Sequence, residues 1–155
     1  MLPPLVEKAL ASGLGGGSDV RGRLLHVLAG QRGRARVAQV GWSLDAAWVV
    51  AGLAPGVPFI LVESDDRAAA DAEAFFSEDR EVRVLQGAWG DLLPAEAPFD
   101  LLVAPAATGD RIVELLAPGG TLVTLRPAPE HPRLATVELR VSPHEAVIVG
   151  TLQPR

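Results

Sequence analysis

RVAQVGWSLDAAWVVAGLAPGVPFILVESDD, residues Arg36–Asp66, decides the fold. An apolar run (Val37, Ala38, Val40) ends at Gly41. A helix-like segment follows, stopped by Pro55 and Gly56. A second apolar run (Phe59, Ile60, Leu61, Val62) then ends in Glu63. This is strand, turn, helix, strand, with an acid at the tip of the second strand. In a parallel sheet such a unit builds a nucleotide site: the turn approaches the ligand and the acid accepts hydrogen bonds from ribose hydroxyls. Glu63 lies about 20 residues beyond the turn, as that geometry requires. The turn departs from the pattern in one respect. It has one glycine where such loops carry two or three.

Outward from this unit the alternation continues. On the N-terminal side, Pro3–Leu14 reads as a short helix with Leu5, Val6, Ala9 and Leu10 on one face. Gly15, Gly16, Gly17 and Ser18 read as a flexible joint. Ser18 or Asp19 then caps a second helix running to about Gly30. On the C-terminal side, Asp66–Ser77 reads as an alanine-rich helix capped by Asp65 or Asp66. Val82–Gln86 is a strand, Trp89–Leu93 a short turn or helix, and Phe99–Ala104 a strand. Asp110–Leu116 is a helix closed by Pro118-Gly119-Gly120, and Thr121–Arg126 a strand. Leu134–Val141 and Ala146–Leu152 form a hairpin around Ser142-Pro143-His144-Glu145. Strands alternating with helices predict an α/β fold, a Rossmann-like three-layer sandwich with a mostly parallel sheet and an antiparallel C-terminal hairpin. The division is an N-terminal helical cap over residues 1–32 and a Rossmann-like domain over 33–155.

The chain has 155 residues, 48% hydrophobic and 21% charged, which suits a packed core and excludes global disorder. The net charge is -5, which argues against nucleic acid as a partner. Arg21, Arg23, Arg32, Arg34 and Arg36 cluster before the first strand and read as a solvated helix end and loop. The chain has no cysteine, so disulfides and thiolate metal sites are excluded. His26, His131 and His144 lack ligand spacing and read as surface or core residues. No run spans a bilayer and no signal peptide is evident, so the expected location is the cytoplasm.

The pattern resembles a class I S-adenosylmethionine-dependent methyltransferase, and more narrowly the small bacterial O-methyltransferase-like proteins. The segments that carry the resemblance are GRLLHVL (22–28), RVAQVG (36–41), VESD (62–65), VRVLQGAW (82–89), LLPAEAPFDLL (92–102), LLAPGGTLV (115–123) and ELRVSPHEAVIVGT (138–151). The resemblance implies S-adenosylmethionine as cofactor and methyl transfer to an oxygen of a small-molecule acceptor. Gly41 and Trp42 would lie against the cofactor's amino-acid end, and Glu63 and Ser64 at its ribose. Gly87, Ala88 and Trp89 would lie at its adenine, and Ala104 and Pro105 would face the methyl group.

This sequence also departs from the family pattern. The turn of that family reads acid-x-Gly-x-Gly-x-Gly, whereas here it is Gln39-Val40-Gly41-Trp42-Ser43-Leu44-Asp45, shorter and poorer in glycine. Gln39 replaces an acid tied to the methionine ammonium. Ala88 stands where an aspartate can bond the adenine amine. The acid after the fourth strand, which helps hold a divalent cation in metal-dependent members, is absent from Val103-Ala104-Pro105-Ala106, so no metal is expected. Losing two or three charge-assisted bonds predicts cofactor binding weakened on the order of 100-fold. The alternative is therefore a non-catalytic relative serving as a dimerisation or regulatory module. A nicotinamide-binding domain is a third reading, opposed by the single-glycine turn and the terminal hairpin. No residue can be named as a catalytic base.

Beside these roles stand plainer ones. Glu63 could be a solvated strand-end acid. Trp42 and Trp48 could line a pocket, though Trp48 reads as core. Asp45 reads as a surface acid rather than a substitute for the lost turn acid. Asp100 reads as structural. The link from Pro127 to Arg133 carries three prolines, which forbid a covering helix. Either it crosses in extended form and leaves an apolar patch on one face, or strands five and six pair out of family order. An uncovered patch predicts a homodimer or a partner protein.

Overall fold

In the computed structural model, which describes residues 1–105 and 109–155, the elements follow the expected order. They are α1 (Pro4–Ala11), α2 (Asp19–Ala29), β1 (Val37–Val40), α3 (Leu44–Gly52), β2 (Phe59–Glu63), α4 (Asp66–Phe75), β3 (Val82–Gln86), α5 (Trp89–Leu92), β4 (Phe99–Val103), β5 (Leu116–Thr124), β6 (Leu134–Ser142) and β7 (Glu145–Leu152). Short 3₁₀ turns occupy Leu93–Ala95 and Asp110–Leu115. The seven strands form one sheet in the order β3-β2-β1-β4-β5-β7-β6. The first five run parallel, and β7 is antiparallel to both β5 and β6.

Local chemistry accounts for the helix starts. Ser18 accepts the Arg21 backbone N–H, Ser43 accepts that of Asp45, and Asp65 accepts that of Ala68. Each satisfies one of the donors that a helix N-terminus leaves free. The segment Gly15–Ser18, which reads as a flexible joint, is seated against α3: the Gly15 carbonyl accepts the Leu44 N–H at 2.9 Å.

The period of two along the strands splits the core into two. Val37, Phe59, Leu61, Leu101, Val103 and Val123 face α1, α2, α3 and α4. Ala38, Ile60, Val62, Leu102 and Leu122 face Leu93, Phe99, Ile112, Val113 and Leu115 on the opposite side. Helices from the N-terminal segment share the first core, with Val6, Ala9, Leu25 and Ala29 buried in it. Trp48 belongs there too, as its sequence reading predicts, and it lies so close to α2 that a Cβ on Gly22 would collide with its indole.

Three expectations need correction. Asp110–Leu116 is not an α-helix but a 3₁₀ segment ending at Leu115. The fifth strand begins at Leu116 and runs through Pro118-Gly119-Gly120, with a register shift opposite Phe99 and Leu101. The link Pro127–Arg133 carries neither helix nor strand, and the Glu130 N–H is held by the Asp110 carboxylate at 2.8 Å. It leaves no apolar patch on that face. There β6 presents Thr136, Glu138 and Arg140, opposite Gly150, Ile148 and Ala146 of β7. The large apolar residues of that face on β5 and β7 (Leu122, Ile148, Leu152) are buried. Among the described residues the exposed large hydrophobics are Met1, Leu10, Val20, Val27 and Val137. Val20 and Val27 belong to α2, which lies against β6 on the helical side.

Candidate functional site

Parallel register brings the strand tips into one row. Val40 stands beside Val62, and Glu63 beside Gln86. Backbone bonds extend the row past the strands: the Gly41 N–H donates to the Val62 carbonyl at 2.8 Å, and the Gly87 N–H to the Glu63 carbonyl at 2.9 Å. Gly41, Glu63 and Gly87 therefore form a shelf at the carboxyl edge of the sheet. On the other side of β1, the Ala104 N–H bonds the Val123 carbonyl at 2.8 Å, so the end of β4 closes the row. The strand order switches between β1 and β4, the position at which doubly wound sheets hold ligands in a crevice.

Glu63 is the hinge of the shelf. Its Oε2 accepts the Trp42 backbone N–H at 2.6 Å, and its Oε1 accepts the Asp65 N–H at 3.0 Å. It is half-buried. A carboxylate has about four lone-pair positions. Two are taken by the turns, and two remain for hydroxyl donors. Gly41 has φ +93°, the left-handed region that glycine enters without strain, and no atom lies within 4 Å of where a Cβ would project.

Gln39 lies beneath the turn and is fully buried at 0% exposure. Its Nε2 donates to the Gly41 carbonyl at 3.0 Å, while Oε1 is buried with no partner. An orphaned acceptor in this position leaves unspent hydrogen-bonding capacity of about 1–3 kcal/mol. It is a neutral oxygen where the family pattern has an acid.

The other expected site residues divide. The Trp42 indole turns away from the shelf and packs on Phe75 and Phe76, ring centroids 5.2 and 5.4 Å apart. Only its backbone N–H serves the crevice. Ser64 and Ala88 are exposed beside the shelf, and Trp89 is half-buried against the core of the second face. Pro105 is half-buried at the end of β4, whereas Ala106 falls outside the described residues.

A second feature on the same edge has no local signature. Asp45 is 2% exposed, which overturns its reading as a surface acid. It is ion-paired with Arg21, whose Nη1 also bonds Glu145 Oε1 at 3.2 Å. The Ser18 N–H donates to Glu145 Oε2 at 3.0 Å. Burial holds the Asp45 carboxyl above its ordinary range, more than the Arg21 charge offsets. For Glu145 burial also pushes upward, but bonds from Ser18 and Arg21 outweigh it and the net shift is downward. Arg34 likewise corrects the reading of its cluster as solvated. It is half-buried and donates to the Leu28 carbonyl at 2.9 Å and to the Asp100 carbonyl. Asp100 has the structural role expected of it, with Oδ2 accepting the Ala35 and Arg36 N–H groups at 2.6 and 3.0 Å. The Arg21–Asp45–Glu145 network joins residues 24 and 124 positions apart, so no sequence window contains it. Ser43 as the α3 cap was readable, since a serine directly precedes the helix.

No protein-family model and no curated protein sequence matches the chain. Solved structures do. The O-methyltransferase from Bacillus cereus in complex with SAH superposes with a TM-score of 0.79 at 17% identity, covering 99% of this chain and 92% of that one. The O-methyltransferase TomG from Streptomyces achromogenes, involved in tomaymycin synthesis and in complex with SAM, gives 0.74 at 18% identity, covering 99% and 92%. A methyltransferase from Geobacter sulfurreducens gives 0.77 at 14% identity, covering 97% and 86%. The fold is that of the class I S-adenosylmethionine-dependent methyltransferases. Its architecture is similar to that of the small O-methyltransferases.

The residues at the crevice fit an adenosyl ligand with an ammonium end. Glu63 has spare lone pairs for ribose hydroxyls, open space lies above Gly41, and an orphaned acceptor sits at Gln39.

Proposed function

We propose that this chain transfers a methyl group from S-adenosylmethionine to an oxygen of a small-molecule acceptor. The observation that carries this reading is the shelf of Gly41, Glu63 and Gly87 at the switch between β1 and β4, with a carboxylate at its centre. Bound there, the cofactor supplies an electrophilic methyl on a sulfonium. Glu63 would hold the ribose through its two free lone pairs, and Gln39 Oε1 would accept from the ammonium, more weakly than a carboxylate. Gly41 leaves room for the ligand backbone, and Gly87, Ala88 and Trp89 border the base. Ser64 lies beside Glu63 at the rim, and the Trp42 amide keeps the Glu63 carboxylate oriented. Ala104 and Pro105 wall the side from which the acceptor approaches. The chain's contribution would be to hold the acceptor oxygen beside the cofactor, because proximity converts a bimolecular step into an internal one.

We further propose that residues 1–32 act as a cap on the domain of residues 33–155, and that the protein is a cytoplasmic homodimer. Support for the dimer comes from the exposed Val20 and Val27 of α2 and Val137 of β6, not from the face under the proline-rich link. No helix among the described residues is long and apolar enough to cross a membrane.

The test is calorimetric titration with S-adenosylhomocysteine, with NAD as control and Glu63→Ala as the site variant. Saturable binding weakened at least tenfold in the variant is the expected result. No binding at millimolar ligand would sink the reading and leave a non-catalytic module.

A further inference from the structure

We propose that the groove above the β6–β7 hairpin is an oxyanion site, which selects methyl acceptors that carry a carboxylate or phosphate group. The inference rests on the methyl-transfer reading only for the identity of the occupant. The groove itself stands on its own geometry.

Its position follows from register. Thr124 pairs with Ile148, so the chain just past β5 (Leu125, Arg126) lies beside the start of β7 (Glu145, Ala146). That is the same edge of the sheet that carries the shelf. Two strand spacings separate β4 from β7, about 10 Å. An acceptor of that length can place one end in the groove and a hydroxyl at the end of β4.

Its chemistry is cationic against an acidic whole. The chain carries a net charge of -5, yet three arginines (Arg21, Arg126 and Arg140) line this groove of about 460 Å³ beside His144, with Glu145 as the one acid among the lining residues. Their engagements are unequal. Arg21 is pinned by Asp45 and Glu145, but its Nε is buried with no partner. Arg126 contacts Glu138 on the exposed face of β6. Arg140 donates to the Pro143 carbonyl at 3.1 Å, and among the described residues it has no carboxylate partner. Guanidinium groups present planar paired donors that match carboxylate and phosphate oxygens. Arg140 makes one backbone contact and no ion pair among the described residues, and Arg126 is committed only at the surface, so two exposed guanidiniums are open to an anionic oxygen group while Arg21 braces the wall. The site is also held in place: the Arg21–Asp45–Glu145 network anchors the start of β7 to α2 and α3, so the groove wall does not depend on the exposed hairpin alone.

The experiment is an amide-shift titration of the full ¹⁵N-labelled chain with sodium benzoate in one series and inorganic phosphate in another, at constant ionic strength. S-adenosylhomocysteine is titrated in parallel. Saturable shifts at Leu125, Glu145 and Ala146 are expected with at least one anion, and the series that saturates tells carboxylate from phosphate selection. Arg140→Ala should weaken that binding at least tenfold. Arg126→Ala, also exposed, should weaken it severalfold, and Arg111→Ala on the 3₁₀ segment, outside the groove, should leave it unchanged. Non-saturating shifts with both anions, or the same affinity in Arg140→Ala, would overturn the proposal. If S-adenosylhomocysteine binds and neither anion does, the oxyanion site alone is wrong. If an anion binds as described and S-adenosylhomocysteine does not, the oxyanion site stands and the methyl-transfer reading fails.

Discussion

The carboxyl edge of the sheet carries two differently made regions. The shelf of Gly41, Glu63 and Gly87 is assembled from backbone groups and one carboxylate, with partners at most 24 residues apart. The groove above β5, β7 and β6 is assembled from charged side chains delivered by α2, α3 and the terminal hairpin, up to 127 residues apart. The shelf is what parallel strand tips offer in any doubly wound sheet. The groove exists only because the C-terminal hairpin folds back beside β5 and meets the N-terminal helices. A ligand common to many proteins suits the first region, and a ligand peculiar to this chain suits the second.

Removing the anchor of the groove should have the largest effect. Asp45→Ala leaves Arg21 half-buried with only Glu145, and breaking such a pair costs about 3 kcal/mol. Urea unfolding should show a loss of that size. A loss under about 1 kcal/mol would mean that the network does not hold the two regions together. Within the shelf, Trp42→Ala removes the ring packed on Phe75 and Phe76 and should cost about 2 kcal/mol, measured the same way. Affinity for S-adenosylhomocysteine should change less than about threefold, since the backbone N–H and not the indole serves the crevice; a larger loss would return the indole to the site. Gly22→Ala probes the packing behind both regions. Collision with Trp48 should cost about 1–2 kcal/mol net of the better helix propensity of alanine.

The smallest effects are expected at the two acids. Glu63→Gln keeps one acceptor oxygen and should lower stability by only about 1 kcal/mol, read from the urea midpoint, while weakening S-adenosylhomocysteine about tenfold by calorimetry. Equal losses in stability and affinity would make Glu63 a structural cap. Glu145→Gln acts through pH. Its folded-state carboxyl lies below the ordinary value of 4.5, so its contribution is complete above that pH and is lost as pH falls through the lowered value. Asp45 runs the other way: its raised carboxyl makes stability fall as pH climbs from the ordinary carboxylate value toward the raised one. Unfolding midpoints measured between pH 3 and 5 should therefore fall less steeply on acidification in Glu145→Gln than in the parent chain. An identical slope would show that Glu145 is not held by Ser18 and Arg21 in solution.

The same division explains what could be read before the structure was seen. Val37–Gly41, Phe59–Glu63 and the spacing between them point to parallel strands with an acid beside a turn, because period and spacing are local properties. The hairpin at Ser142–Glu145 is legible for the same reason. The Asp110–Leu115 segment misleads: its apolar residues suit a helix, but only six residues separate Gly109 from the start of β5, and they wind as a 3₁₀ turn. Asp45 misleads in a different way, and the direction of the Trp42 indole, which packs on Phe75 and Phe76, has no signature in its neighbours. Neither the direction of an indole nor the burial of an acid is a property of neighbouring residues.

What the amino-acid order alone determines is the α/β alternation, the antiparallel ending and the acid at the tip of β2, since hydrogen-bond periodicity and turn chemistry act over a few residues. Tertiary structure alone decided that Trp42 packs on Phe75 and Phe76, that Asp45 is buried against Arg21, and that three arginines share one groove. Those outcomes depend on which distant surfaces meet. Burying a charge is tolerable only where the fold brings its partner to it.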